Sequence, residues 1–255
     1  MRLTLFPLLA MLAVLTGCSG GAREAEAPAA EDDAYASPPA VTAVRLSDTG
    51  GLTVIGSAEP GERIRLIEMN GTAHGVTTDA RGVFELSLNA DGAADRLFSV
   101  NVQRAGQAIP ADGWLMSPAA APERAVMLRP GDASLPVGPA PLLAVVDVDA
   151  GGGVALSGVA EPGAEVEVRI DGVRQGVTEA DATGRWSLTP SATLPAGEHR
   201  VLVIADVQVE HALDLTPIRP TGPMQTEAVP SGLRIAWGLP GGGAQTTFLI
   251  LSPDA

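Results

Sequence analysis

The sequence predicts an all-β chain built from two copies of one module, on three observations. Glycine (30) and proline (21) make up a fifth of the 255 residues while aromatic residues are 3%, which favours short strands and frequent turns over long helices. A set of landmarks recurs in one order, with Gly56-Ser57-Ala58-Glu59-Pro60-Gly61 returning 102 residues later as Gly158-Val159-Ala160-Glu161-Pro162-Gly163. Between the later landmarks, Val166, Val168 and Ile170 alternate strictly with Glu165, Glu167 and Arg169, the pattern of a strand with one face in a core and one in water.

From the N-terminus, Met1 and Arg2 give a short positive start. Leu3 to Leu15 is an apolar run too short to cross about 30 Å of hydrocarbon as a stable helix. The run closes with Leu15-Thr16-Gly17-Cys18, and Cys18 is the sole cysteine, so neither an intramolecular disulfide nor a multi-cysteine metal site can form. The segment resembles the lipobox signal peptide of bacterial lipoproteins. That resemblance implies cleavage before Cys18 and lipidation of its thiol, and two or three acyl chains at about 0.8 kcal/mol per buried methylene anchor stably where one is marginal. Ser19 rather than aspartate after the cysteine implies, by the same resemblance, export to the outer membrane. Residues 18–40, rich in Ala, Gly, Pro and acidic residues with Glu31-Asp32-Asp33 and Tyr35, carry too little apolar surface to offset ordering entropy and read as a flexible tether.

In the two copies, each Glu-Pro-Gly predicts a tight turn, with proline presetting φ and glycine accepting the left-handed position. Asn70-Gly71 and Asp171-Gly172 predict type I′ hairpin turns, whose two central residues both need positive φ. Ile64 and Leu66 fit the alternation of the first copy but Ile67 and Glu68 invert it; one extra residue precedes Asn70-Gly71, so a β-bulge is expected there. Gly75-Val76-Thr77 and Gly176-Val177-Thr178 follow. Asp79-Ala80-Arg81-Gly82 and Asp181-Ala182-Thr183-Gly184 then suit a second turn in which aspartate accepts a backbone hydrogen bond. Phe84 and Trp186 begin strands and are expected to plug each core.

The run from Gly158 to Val207, with Ala160-Glu161-Pro162-Gly163, Asp171-Gly172, Gly184-Arg185-Trp186-Ser187 and Pro195-Ala196-Gly197-Glu198-His199-Arg200-Val201, resembles a bacterial Ig-like repeat of surface and envelope proteins. The first copy, Val41 to Val102, matches less well and lacks the histidine-containing closing turn. The resemblance implies a seven-strand sandwich used as spacer, stalk or binding module, without a shared active site.

Beyond the repeats, Ala125-Val126-Met127-Leu128-Arg129-Pro130-Gly131-Asp132-Ala133 echoes Phe248-Leu249-Ile250-Leu251-Ser252-Pro253-Asp254-Ala255, so an extra strand is expected after each sandwich. Leu233–Trp237 and Thr246–Leu251, separated by a glycine-rich loop, predict a C-terminal hairpin. The expected organisation is a signal peptide (1–17), a lipidated tether (18–40), Ig-like module 1 with a trailing strand (41–133), a linker (134–140), Ig-like module 2 (141–216) and a C-terminal extension (217–255).

Charge and motif content narrow the function. The net charge is -14 and all 16 basic residues are arginine, which removes Schiff-base and phosphate-loop lysine chemistry and disfavours nucleic acid as a partner. His74, His199 and His211 show no metal-ligand spacing and read as surface histidines. Asp147-Val148-Asp149 has two readings: both carboxylates on one face for calcium, or a solvated edge-strand face, the second favoured because no further ligands converge. No G-x-S-x-G occurs, Ser57 belongs to a turn landmark, and Glu59 and Glu161 are equivalent turn residues rather than an acid/base pair. Trp114, Trp186 and Trp237 lie far apart in sequence, with Trp186 read as core. The expectation is a non-enzymatic envelope lipoprotein without cofactor or metal, held to the membrane through Cys18 at the periplasmic or surface face of the outer membrane. Its role is structural or protein-binding. The alternatives are a glycan- or peptidoglycan-associated binding protein, and an accessory subunit of an export or attachment complex that takes a partner by strand addition at an edge strand or the C-terminal hairpin.

Overall fold

Short alternating segments punctuated by glycine turns give strands throughout. The computed structural model describes residues 37–251 except 48–49, 90–93 and 105, and these form nineteen strands and no helix. The signal peptide, Cys18 and all but the end of the tether lie outside the described residues.

Each copy of the repeat folds as two antiparallel sheets around its own core. In the first, β1 (Ala40–Leu46), β2 (Leu52–Ser57) and β5 (Val83–Leu88) form one sheet in the order β1-β2-β5. Against it lie β4 (Ala73–Thr77), β3 (Arg63–Glu68), β6 (Arg96–Arg104) and β7 (Gln107–Ser117) in that order, continued by β8 (Val126–Leu128) and β9 (Leu135–Pro136). In the second copy β14 (Arg185–Leu188), β11 (Val154–Val159) and β10 (Val145–Asp149) make one sheet. The facing sheet runs β13 (Val173–Glu179), β12 (Glu165–Ile170), β15 (Glu198–Ile204), β16 (Gln208–Asp214). The chain is thus an all-β protein with two Ig-like β-sandwich modules in tandem.

The repeat landmarks are one packing device used twice. Gly56 and Gly158 lie beneath the rings of Phe84 and Trp186: a Cβ on Gly56 would fall 2.2 Å from the Phe84 ring, and one on Gly158 3.0 Å from Trp186 Nε1. Both rings are buried, as expected. The amides of Ala58 and Ala160 donate to the carbonyls of Gly82 and Gly184, tying each Glu-Pro-Gly turn to its Asp-x-x-Gly turn. Asp79 accepts from the amides of Arg81 (2.8 Å) and Val83 (2.9 Å), and Asp181 from those of Thr183 (2.7 Å) and Arg185 (3.0 Å).

The hairpins between these turns differ from expectation in the first copy. Asp171 (φ 53°) and Gly172 (φ 78°) make the expected type I′ turn, with Ile170 opposite Val173. Asn70 has no positive φ; Glu68 donates to the Thr72 carbonyl, leaving a three-residue loop, Met69-Asn70-Gly71, in which Gly71 alone is left-handed at φ 90°. The extra residue therefore sits in the loop, and the β3–β4 register runs without a bulge. The bulge falls in the second copy, where Val168 pairs with Gly176 and Arg169 with Arg174, skipping Gln175.

The C-terminal strands do not stand apart. β17 (Met224–Val229), β18 (Gly232–Gly238) and β19 (Ala244–Ile250) meander back so that β19 pairs with β10, giving a six-stranded sheet, β14-β11-β10-β19-β18-β17. The two trailing strands foreseen from the echo extend opposite sheets: β8 joins the β4-β3-β6-β7 sheet of module 1, β19 the β14-β11-β10 sheet of module 2. Between those extended sheets lies a third core of Leu97, Met116, Val126 and Leu128 from module 1 with Ala144, Val145, Ile235, Trp237 and Leu249 from the other side. Residues 134–140, read from sequence as a linker, are built in: Val137 is core, Ser134 is buried, and the Val44 amide donates to the Val137 carbonyl at 2.8 Å. The described residues form one compact unit.

Candidate functional site

A buried polar cluster sits on the seam between the modules, and Asp147 of β10 is its centre. Alternation along β10 sends Val146 and Val148 into the module 2 core and turns Asp147 toward module 1. There Oδ2 accepts from the Ser134 amide at 2.6 Å, and Oδ1 accepts from the hydroxyls of Ser134 (3.0 Å) and Thr247 (2.5 Å). Thr247 Oγ1 in turn accepts from Trp237 Nε1 at 3.0 Å, and Ser157 Oγ donates to the Ser134 carbonyl at 2.5 Å. The cluster joins the end of module 1, two strands of module 2 and two C-terminal strands. Burial pushes the Asp147 carboxyl above the usual carboxylate range, against the pull of the Thr247 and Ser134 donors.

This corrects the sequence expectation for Asp147-Val148-Asp149. β10 is an interior strand between β11 and β19, so Asp147 is 4% exposed rather than solvated. Asp149 caps the β10–β11 turn, its Oδ1 accepting from the amides of Gly151 (2.6 Å) and Gly153 (2.9 Å). Among the described residues no group of three or more His, Cys, Asp and Glu is placed to hold a metal ion.

His199 departs from the surface reading. It is 8% exposed, with Nδ1 2.7 Å from Asp171 Oδ2 and Nε2 2.8 Å from the Pro195 carbonyl. A carbonyl and a carboxylate only accept, so both ring nitrogens satisfy their partners when both carry protons. The Asp171 contact, with the Pro195 carbonyl, raises the His199 pKa against burial. Asp171 is lowered by the Arg200 amide and by His199. The pair staples the Asp-Gly turn to the Pro-Ala-Gly turn.

The remaining candidates scatter. His74 Nε2 lies 3.0 Å from Glu68 Oε1, which also pairs with Arg96 at 2.5 Å. Burial raises the Glu68 pKa, but Arg96 and His74 outweigh it and hold the carboxyl below its usual range. His211 is buried on β16. Trp186 is core and donates to the Leu142 carbonyl at 2.8 Å. Trp237 is fully buried in the third core and Trp114 packs against it, so two tryptophans far apart in sequence share one cluster. Glu59 and Glu161 stand exposed in their turns, as read. The hairpin offered for strand addition is not available for it, because β18 and β19 are each flanked on both sides; β17 is the edge of that sheet. No sequence signal ties Asp147 to its partners, which lie 13 and 100 residues away.

No protein-family model and no curated protein sequence matches the chain. Among solved structures it is similar to the central fibronectin-III array of RIM-binding protein, at 17% identity, over 80% of this chain and 73% of that one. The TM-score is 0.25, a value at which no shared geometry is implied.

Proposed function

We propose that this chain is a lipid-anchored protein of the bacterial cell envelope whose two Ig-like modules, joined into one body, serve a structural or protein-interaction role. The observation that carries the role is the third core with its Asp147 cluster. Two modules that could hang on a linker are instead fused through apolar side chains from both, which suits a spacer or scaffold that presents its surfaces at a fixed spacing. The chemically capable side chains of the seam and of the His199 staple are committed to internal hydrogen bonds, which favours a non-enzymatic reading. The anchor rests on Leu15-Thr16-Gly17-Cys18 and its resemblance to a lipobox, and Ser19 in place of aspartate after the cysteine supports an outer-membrane address.

Labelling cells with a clickable palmitate analogue, in wild type and Cys18→Ala, tests the anchor. The expected result is label that follows the outer membrane in the wild type and vanishes in the variant. Unlabelled wild-type protein would sink the anchor and the membrane address together. Cross-linking in intact cells tests the role, with a discrete, stoichiometric envelope partner expected.

A further inference from the structure

The outer sheet faces of the two modules carry opposite charge at matching positions. The repeat offset of 102 residues matches Arg63 and Arg65 of β3 with Glu165 and Glu167 of β12, and Thr77 of β4 with Glu179 of β13. Strand pairing agrees, since Arg63 lies opposite Thr77 and Glu165 opposite Glu179. Glu165 and Glu179 are exposed, with Cβ atoms about 5 Å apart across neighbouring strands, where like charges repel. Neither has an ion-pair partner among the described residues, whereas Glu167 beside them is paired with both Arg169 and Arg174. A second acidic pair on the same face, Glu198 opposite Asp214, is partly satisfied: Asp214 accepts from the Thr216 amide (3.2 Å) and hydroxyl (2.5 Å). On the other charge sign, Arg45, Arg63, Arg65, Arg124, Arg185 and Arg219 lack a carboxylate partner among the described residues, and of these only Arg63 and Arg65 share a strand face, about 7 Å apart.

We propose that module 1 of one copy docks on module 2 of another, with Arg63 and Arg65 set against Glu165 and Glu179. The occupant is a second copy because the chain itself supplies both halves of the match, on equivalent strands of one repeat, and within one chain neither half meets the other. Guanidinium forks meet carboxylates in two-point contacts, and the contact relieves a like-charge pair on each side. Half-buried aliphatic side chains border both pairs, Ile67 beyond Arg65 and, in the row next to Glu165, Val177 and Ile204. Copies of net charge -14 repel at long range, but at about 0.15 M salt the Debye length of about 8 Å screens that repulsion while close ion pairs persist. The inference adds a partner to the anchored-scaffold reading, and a monomeric scaffold would survive its failure.

Sedimentation equilibrium of the full chain in a density-matched neutral detergent at that salt tests it. Wild type should self-associate as its concentration rises. The double variants Arg63→Gln/Arg65→Gln and Glu165→Gln/Glu179→Gln should each raise the dissociation constant by about tenfold or more. An equimolar mixture of the two, in which each keeps one charged face, should associate again and stop at a dimer, which also shows that both variants fold. Glu198→Gln/Asp214→Asn, at the other end of the module 2 face, should associate as wild type does. A wild type that stays monomeric, unchanged association in either of the first two double variants, a mixture that stays monomeric, or loss of association in Glu198→Gln/Asp214→Asn would each overturn the proposal.

Discussion

Modules 1 and 2 share a plan and reach it by different local means. Between the glycine of Glu-Pro-Gly and the aspartate of the second turn, Gly61 to Asp79 and Gly163 to Asp181, both copies run the same 18 positions. Module 1 spends one of them on a three-residue hairpin loop, while module 2 keeps a two-residue type I′ turn and places the surplus in a bulge at Gln175. Module 1 plugs its core with Phe84, and module 2 with Trp186, whose indole also donates to Leu142. The larger difference lies outside the repeat. Module 1 extends one of its sheets with β8 and β9, module 2 extends the opposite one with β17 to β19, and the two extensions meet. Conserved spacing between turns makes the module, and the appended strands make the two modules one.

The sharpest way to break this contrast is to remove residues 217–255. That strips β10 of its partner β19, takes Phe248 and Ile250 from the module 2 core and takes Ile235, Trp237 and Leu249 from the seam. Calorimetry should show module 2 no longer melting as a folded unit while module 1 keeps a transition; an unchanged melting temperature would refute a structural role for the extension. Next in size, Trp186→Ala should cost about 3–5 kcal/mol in urea unfolding. Trp186→Phe, which imports the solution of module 1, should cost about 1–2 kcal/mol, since the Leu142 carbonyl loses its donor.

At the seam, Asp147→Ala leaves the Ser134 amide and the Thr247 hydroxyl without their acceptor and should cost about 1–3 kcal/mol. Because the Asp147 pKa is raised on folding, its ionisation opposes folding, so part of the wild type's stability is lost as pH climbs above the carboxylate range. The variant should lack that component, and comparing urea midpoints across acidic pH measures it.

The smallest effect separates the modules by pH. The His199 pKa is raised, so its contribution is fully present below the unfolded value near 6.5 and fades as pH rises through the folded value. The Asp171 pKa is lowered, so its contribution is present above about 3.8 and fades as pH falls through the folded value. Module 2 should therefore be favoured between those limits, and His199→Gln should remove the alkaline arm. A wild-type melting temperature that stays flat through neutral pH, with no difference from His199→Gln, would show that the staple carries no weight.

Much of each module was legible because its determinants are local. Glycine and proline fixed the turns, period-two alternation picked β12, and a single large aromatic after Asp-x-x-Gly marked each core. The three-residue loop was not legible, since one surplus residue can be absorbed in a loop or in a strand at similar cost. The apolar runs Ala125–Leu128 and Phe248–Leu251 were seen as strands, but continuous hydrophobicity reports burial on both faces and does not name the partners. Met127 faces the module 1 core and Val126 the seam; Ile250 faces the module 2 core and Leu249 the seam. β17 was missed because Met224-Gln225-Thr226-Glu227-Ala228-Val229 carries few apolar side chains to set a period. The burial of Asp147 needed the whole topology.

The pairing of Val145 with Leu249 has a temporal consequence. β10 is synthesised early in the second module, yet the strand that completes it arrives 104 residues later. Local hairpins such as β12–β13 form in about microseconds, whereas this long-range pairing must wait for β19 and close a much larger loop. Until it arrives, one edge of β10 and the apolar outer faces of both modules stand open together. The nascent chain is most prone to aggregation in that interval, so chaperoning before β19 emerges should govern yield more than the stability of either finished module does.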